Sequence, residues 1–282
     1  MRNHPRKKVL WFIGFILVGV GLGVGVFAKK TPKTPNVISV TPAAVPATST
    51  IPTPTIPQVS GQSVTILTYH SVEPKTDKKE GAMQKHYHIY PENFEAQMQY
   101  LKDNNYHPIT MRQLTDSYKN GTGLPEKSVV LTFDDGWKNQ YTYAFPILKK
   151  FGYPATFFII TKVRGGTYMT WDEIREMDQA GMDIESHSET HPKLTKISAD
   201  KALQEIAGSK KTLETELGHA IDSIAYPYYD HNAAVMKIVE DAGYGAARAG
   251  WGKLKNGQEN RFALVSQEVV NNKNPFSSKI EK

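Results

Sequence analysis

From Val64 onward the sequence alternates between two kinds of segment, and this alternation restricts the fold more than any other feature. One kind is a short run rich in apolar and β-branched residues: 64–69 (VTILTY), 128–133 (SVVLTF), 155–160 (ATFFII), 182–186 (MDIES), 222–226 (DSIAY), 244–248 (YGAAR) and a closing run 261–270 (RFALVSQEVV). The other kind has helical spacing. Pro91 suits a helix first turn, and Phe94, Met98 and Leu101 follow it at i, i+4 and i+7. Further helices are expected over 111–119, stopping at Asn120-Gly121, near 140–150, stopping at Gly152, and over 170–181, 199–217 and 232–243. The strand runs carry apolar residues in succession rather than in alternation, so both faces must be covered, as in a parallel sheet wrapped by helices. About seven such units over about 210 residues fit one barrel-like α/β domain. An open doubly wound sheet is the alternative.

The N-terminal part follows different physics. Residues 9–28 carry no charge, a length that matches the roughly 20 apolar residues of a bilayer span. Arg2, Arg6, Lys7 and Lys8 precede them, which places a basic tail, 1–8, on the cytoplasmic side. A cleaved signal peptide ending at Val26-Phe27-Ala28 is the competing reading, but its apolar region would exceed the usual ~7–15 residues, so an uncleaved anchor is favoured. Either way the remainder is expected to be extracellular, membrane-held or secreted. Residues 31–60 are rich in Pro, Thr, Ser, Ala and Val with Lys33 as the one charge, and read as an extended linker. The folded domain is expected over 61–282. The chain has no cysteine, so neither a disulfide nor a lipid-modified cysteine is available, and the domain must rest on its own core. Six of the 34 Lys+Arg lie in residues 1–30, which leaves 28 against 28 Asp+Glu in the rest. That balance offers no basic stripe for nucleic acid.

Two positions carry chemistry. Asp134 and Asp135 close the run 128–133, and in a parallel α/β barrel catalytic groups sit at the C-terminal ends of strands. His187 follows the run 182–186, with His191 four residues later and Pro192 preventing a regular helix there. A carboxylate with two imidazoles drawn from two strand ends is a three-ligand metal set that leaves positions open for water and substrate. The remaining carboxylate is then placed to act as a base toward water. Each half alone is a weak signal, since Asp-Gly is first of all a turn sequence and loop histidines are common. The specificity comes from their combination.

TFDDG at 132–136 and HSETHP at 187–192 resemble the first two motifs of the polysaccharide deacetylase family, the NodB-homology domain of carbohydrate esterase family four, over about residues 64–270. The resemblance implies a distorted (β/α) barrel, with Asp134 as base and Asp135, His187 and His191 as ligands to a divalent metal, usually zinc. Pro227-Tyr228 in IAYPYYDHN matches part of a third motif and implies the Tyr228 backbone N–H as an oxyanion donor. The arginine expected before that proline is missing, and Arg164 is the sequence's candidate to replace it. The family's C-terminal Leu-x-His is also absent, because no histidine follows His231. The exported poly-N-acetylglucosamine deacetylases share that departure and carry a Tyr-His pair on the first strand. LTYHSV resembles it and implies His70 as general acid, the alternative being a histidine that only hydrogen-bonds. NFEAQMQYLKDNNYHPIT resembles the same branch, and MTWDEIREM puts Trp171 forward as the pocket aromatic among Trp137, Tyr168, Tyr228 and Tyr229. His86, His88, His107 and His219 sit in no motif and are expected to be structural.

The activity so implied is metal-dependent hydrolysis of the acetamide of N-acetylglucosamine units in an extracellular polysaccharide of the biofilm type. The alternatives are a peptidoglycan N-acetylglucosamine deacetylase, an amidase or peptidase on stem peptides, and a glycan-binding module without turnover.

Overall fold

The computed structural model describes residues 58–59, 63–75, 87–163, 165–252 and 255–276. The basic tail, the apolar segment 9–28 and the linker as far as residue 57 lie outside them, as does Arg164. Among the described residues no helix is long and apolar enough to cross a membrane.

The expected alternation is present as eight parallel strands: β1 (Thr65–Tyr69), β2 (His107–Ile109), β3 (Ser128–Phe133), β4 (Thr156–Ile159), β5 (Asp183–Ser186), β6 (Ser223–Ala225), β7 (Ala246–Arg248) and β8 (Gln267–Glu268). Their order is β7-β6-β5-β4-β3-β1-β8. One edge of β3 is shared, with β2 against Ser128–Val130 and β4 against Thr132–Phe133. The sheet curls into a partial barrel. The segment after β7 spans the gap: Ala249 N–H donates to the Leu264 carbonyl at 2.7 Å, Ser266 N–H to Gly250 at 3.1 Å, and Val269 N–H to Thr68 of β1 at 3.0 Å.

Among the described residues six α-helices cover the sheet: α1 (Pro91–Asp103), α2 (Met111–Asn120), α3 (Phe145–Phe151), α4 (Trp171–Gln179), α5 (Ala199–Leu217) and α6 (Ala233–Asp241). Their limits follow local chemistry. Thr110 with Gln113, and Thr170 with Glu173, form capping boxes that start α2 and α4. Gly121 and Gly218 end α2 and α5 in the left-handed region, at φ 66° and 77°.

Three expectations need correction. The helix near 140–150 is two pieces, a π turn over Gln140–Ala144 followed by α3. Pro146 has no N–H to bond the Thr142 carbonyl, so the α ladder cannot run through. The turn has a use, because it lets the Gln140 amide donate to the carbonyls of His70 at 2.7 Å and Asp134 at 2.5 Å, at the tips of β1 and β3. The closing run 261–270 supplies only the two-residue β8, the rest serving as the bridge just described. Strand β2 has no counterpart among the expected strands; its central Pro108 lacks an N–H donor, and the strand survives on the N-terminal half of one edge of β3.

The core explains why the strand tips are held so firmly. Every residue of β3 is buried. Tyr69, Phe133 and Phe157 lie in register on β1, β3 and β4, and their rings stack, with centroids 5.0 and 4.7 Å apart. Phe94 of α1 meets Tyr69 edge-on at 5.2 Å. Such pairs contribute about 0.5–1.5 kcal/mol each beyond burial. This aromatic layer ends at the residue before Asp134 and supports the rim.

Gly250, just past β7, belongs to the same rim. A Cβ there would fall 2.4 Å from Cγ of Tyr229. Gly250→Ala is therefore expected to displace that ring and cost about 1–3 kcal/mol by overpacking, measured as a lower urea midpoint at unchanged slope.

Candidate active site

Strand β3 delivers Asp134 and Asp135 to the rim, and the backbone then turns sharply. Asp135 has φ 76° and Gly136 φ 76°, a left-handed pair that points the two successive carboxylates to different partners. Ser188, His191, Tyr228 and Tyr229, all on the same rim, also have positive φ, at 64°, 63°, 56° and 59°. Residues without a glycine's freedom adopt this region only under constraint, and such strain concentrates at functional sites.

The first cluster is Asp135, His187 and His191. Asp135 Oδ1 lies 3.5 Å from His187 Nε2 and 3.4 Å from His191 Nε2, and the two imidazole nitrogens are 3.2 Å apart. Three donors at 2.0–2.1 Å from one tetrahedral ion would stand about 3.3 Å apart, so the set fits a zinc-sized cation. The donor chemistry fits as well. His187 Nδ1 lies 2.8 Å from the Ala225 carbonyl at the tip of β6, which fixes the ring and leaves Nε2 as the lone-pair nitrogen. Burial, then the neighbouring His187, lowers the His191 pKa to about 4, so its imidazole is neutral at pH 7, the form in which a ring nitrogen can meet a cation. Burial alone would raise the Asp135 carboxyl, but the hydrogen bond and charge of His187, with His70 and His191, outweigh it and hold it well below the usual carboxylate range.

Asp134 faces another set of groups and is 2% exposed. Its Oδ2 accepts from Nη2 of Arg248 at 2.5 Å, while Oδ1 is buried without a hydrogen-bond partner. Arg248 is wholly buried; Nη1 also donates to Thr68 Oγ1 at 3.3 Å and Ser266 Oγ at 3.2 Å. The last residue of β7 thus supplies an arginine to Asp134 in the absence of the one missing from the third motif, and Arg164 lies outside the described residues. The sequence signal for Arg248 is an arginine in YGAAR, a strand otherwise of small and apolar residues.

His70 lies beside Asp134, with Nε2 3.8 Å from Asp134 Oδ2 and Nδ1 2.9 Å from Glu268 Oε1 on β8. Burial lowers the His70 pKa, but the bond and charge of Glu268 together with Asp134 raise it above the ordinary value; Glu268 is lowered in turn, chiefly by the bond from His70 acting against its own burial. The pair is therefore ionised from the depressed carboxyl pKa up to the raised imidazole pKa. Tyr229 Oη donates to the other Glu268 oxygen at 2.7 Å. Glu268 was not singled out in the sequence, where it reads as one more polar residue in an apolar run.

Tyr228 is 58% exposed, and its ring lies 4.5 Å from that of His191. The N–H groups of Tyr229 and Asp230 are taken by Tyr226 and Pro227 carbonyls, whereas no described backbone group takes that of Tyr228. Asp230 secures this turn by accepting from Thr195 N at 2.7 Å and Oγ1 at 2.8 Å.

Seven of these residues, His70, Asp134, Asp135, His187, His191, Tyr228 and Tyr229, line one cavity of about 770 Å³, while Arg248 and Glu268 are not among its lining residues. Trp171 does not. It is the first residue of α4, half-buried against the core, because the Thr170 cap fixes the helix start there. Trp137 lines the cavity in its place, stacked on Tyr168 with centroids 4.6 Å apart. His88, expected to be structural, lines the far end 3.0 Å from Glu73, while His107 and His219 bond Glu126 and Asp178 elsewhere; His86 lies outside the described residues.

Two substitutions test these pairs. Arg248→Met strands a buried carboxylate and is expected to cost about 3–5 kcal/mol in urea unfolding, well beyond a packing change of that size. Glu268→Gln removes the group that opposes burial, so the His70 imidazole, followed by NMR titration, is expected to titrate at lower pH than in the parent. A parent-like titration removes Glu268 from that role.

A family model described as polysaccharide deacetylase matches residues 121–247, which include both aspartates, both histidines and Tyr228 and stop one residue short of Arg248. YxkH of Bacillus subtilis, designated a polysaccharide deacetylase, is 33% identical over 180 residues, covering 64% of this chain and 61% of its own length. The poly-beta-1,6-N-acetyl-D-glucosamine N-deacetylase of Staphylococcus aureus is 29% identical over 207 residues, covering 68% and 66%. The chain thus spans about three-fifths to two-thirds of these relatives. The deacetylase PplD of Streptococcus pyogenes, solved with acetate, superposes with a TM-score of 0.70 at 26% identity, covering 76% of this chain and 95% of that one. The matched motifs, the curled parallel sheet and the rim that carries both aspartates and both histidines identify residues 121–247 as a polysaccharide deacetylase domain.

Proposed function

We propose that the chain hydrolyses the acetamide of N-acetylglucosamine units in an extracellular polysaccharide of the poly-N-acetylglucosamine type, releasing acetate. One observation carries this reading. A three-donor cation site, an ion-paired carboxylate with a free oxygen, and an imidazole held by a second carboxylate converge on one cavity. The name of the Staphylococcus aureus relative and the departure from the usual family pattern at His70 support the choice of polymer.

Asp135, His187 and His191 would hold a divalent cation, zinc by the family resemblance, whose chemistry is polarisation of the acetamide carbonyl and activation of water. The other roles belong to the chain. Asp134 Oδ1, the oxygen that Arg248 does not occupy, takes the proton from the attacking water. Arg248 orients this carboxylate and offsets the cost of keeping it ionised out of water. As the carbonyl carbon becomes tetrahedral, the Tyr228 N–H donates to the oxygen that gains charge, a contribution of about 3–4 kcal/mol where such donors have been removed. His70 Nε2 then gives its proton to the nitrogen as the C–N bond breaks, and Glu268 holds the ring for that transfer. Acetate leaves, and the sugar keeps a free amine that is largely cationic at neutral pH.

Location belongs to the same proposal. The uncharged run 9–28 would hold the enzyme at the cell membrane, with 31–60 as spacer and the catalytic domain outside, or would direct secretion if cleaved.

The test is acetate release by the purified full chain from poly-N-acetylglucosamine and from peptidoglycan, with chelator and with zinc restored. Release from the first polymer, abolished by chelator and regained with zinc, is the expected result. Release from peptidoglycan alone moves the chain to the other substrate, and release from neither under any metal leaves it a binding module. Asp135→Ala is expected to lose the metal, whereas Asp134→Asn keeps it and loses about 10²–10⁴-fold in kcat. Parent activity in Asp134→Asn would show that another group is the base.

A further inference from the structure

The carboxylate of Asp135 is used on both sides. Oδ1 faces the two histidines, and Oδ2 accepts a hydrogen bond from the indole Nε1–H of Trp137 at 2.8 Å. An oxygen that accepts from an N–H in this way has one of its two lone-pair directions taken, and turning it toward an ion would bend or break that bond. We propose that Trp137 is a positioning residue for the metal centre: its indole N–H keeps Asp135 a one-oxygen ligand and thereby sets both the affinity of the site and its preference for a small ion over one that needs more oxygen donors.

The indole is built into place rather than left to chance. Trp137 stacks on Tyr168, interplanar angle 15°, and forms an isolated antiparallel bridge with it. On either side of this bridge, Lys138 N–H donates to the Thr167 carbonyl at 2.8 Å and Met169 N–H to Gly136 at 3.0 Å. The loop 165–169 is thus sewn to the turn that follows Asp135, and the ring can swing only if that seam opens. Gly136 permits the close approach, since its backbone is left-handed and a Cβ there would sit 3.2 Å from Ile159 Cδ1. The donor type matters too. An indole N–H donates and does not accept, so it bonds the carboxylate only as an acceptor and adds no charge that would compete with the cation. Zinc is satisfied by four ligands with an open place for water, whereas calcium takes six to eight oxygens and gains when a carboxylate turns bidentate. Withholding one Asp135 oxygen therefore penalises the larger ion.

This inference rests on reading the triad as a metal centre, and direct metal binding tests the two separately. Zinc affinity of the full chain is measured by chelator competition, without substrate, for the parent and for Trp137→Phe, which keeps an aromatic body for the Tyr168 stack and deletes the N–H. The expected result is a zinc affinity 10–100-fold weaker in the variant, with a smaller loss, or a gain, for calcium. A parent chain that binds no zinc overturns the metal centre itself. A parent that binds zinc and a Trp137→Phe variant that binds it within twofold overturns only the role of the indole. Should the variant fail to fold, the parent supplies the readout: the assigned ¹⁵N–¹H indole resonance of Trp137, one of four tryptophans, is expected to shift and to exchange more slowly when zinc is added, and an unmoved resonance overturns the proposal.

Discussion

The ion pair between Arg248 and Asp134 is the interaction on which the rest of the rim depends. Both side chains are out of water, at 0% and 3% exposure, and neither would be tolerated there alone. Burying two charges costs several kcal/mol per ion before any return, and the pair repays it only because the geometry is close and the guanidinium finds further oxygen partners on Thr68 and Ser266. Those partners lie on β1 and on the bridging segment, so one side chain ties the last long strand to β1, to the tip of β3 and to the segment between the sheet's edges. A lysine offers a single point charge and would leave several of these bonds unmade. Among the described residues the same pair leaves one Asp134 oxygen without a hydrogen-bond partner, and that oxygen is the one proposed as the base.

Around this pair the rim is an exercise in holding strained backbone. Five residues with left-handed φ, Asp135, Ser188, His191, Tyr228 and Tyr229, each present a functional group or flank one. Separate side chains keep them there. Ser188 Oγ accepts from His191 N–H at 3.0 Å, Glu205 of α5 accepts from the N–H groups of Glu189 and Thr190 at 3.0 and 2.8 Å, and Asp230 clamps the tyrosine turn to Thr195. The cost of each strained residue, about 1–3 kcal/mol, is met by packing below, where the Tyr69–Phe133–Phe157 stack fixes the strand tips. A site preorganised in this way needs little rearrangement when charge develops, which is where electrostatic catalysis gains most.

Much of this could be read from the chain in order. The strand runs and helix caps placed the elements within a few residues, because burial on both faces and capping are local properties of a sequence. Asp134, Asp135, His187 and His191 were legible for a related reason: each pair sits in a short turn at the end of an apolar run, so strand direction alone sends both to one rim. The errors were also local in origin. Pro108 removes a donor from the middle of β2, and Pro146 splits the helix expected near 140–150. Trp137 lines the cavity and Trp171, the first residue of α4, does not, because which ring faces the cavity depends on a neighbouring loop.

The sequence by itself thus determined the parallel α/β architecture, the strand tips and the Asp135–His187–His191 cluster, all of which follow from patterns a few residues long. Only the tertiary structure decided what makes those groups different from one another. Arg248 meets Asp134 across 114 residues, and Glu268 meets His70 only because the final strand lies beside the first. No local pattern announces such partners, because an arginine or a glutamate in an apolar strand is identified by the charge it faces, and that charge is brought to it by the curl of the sheet.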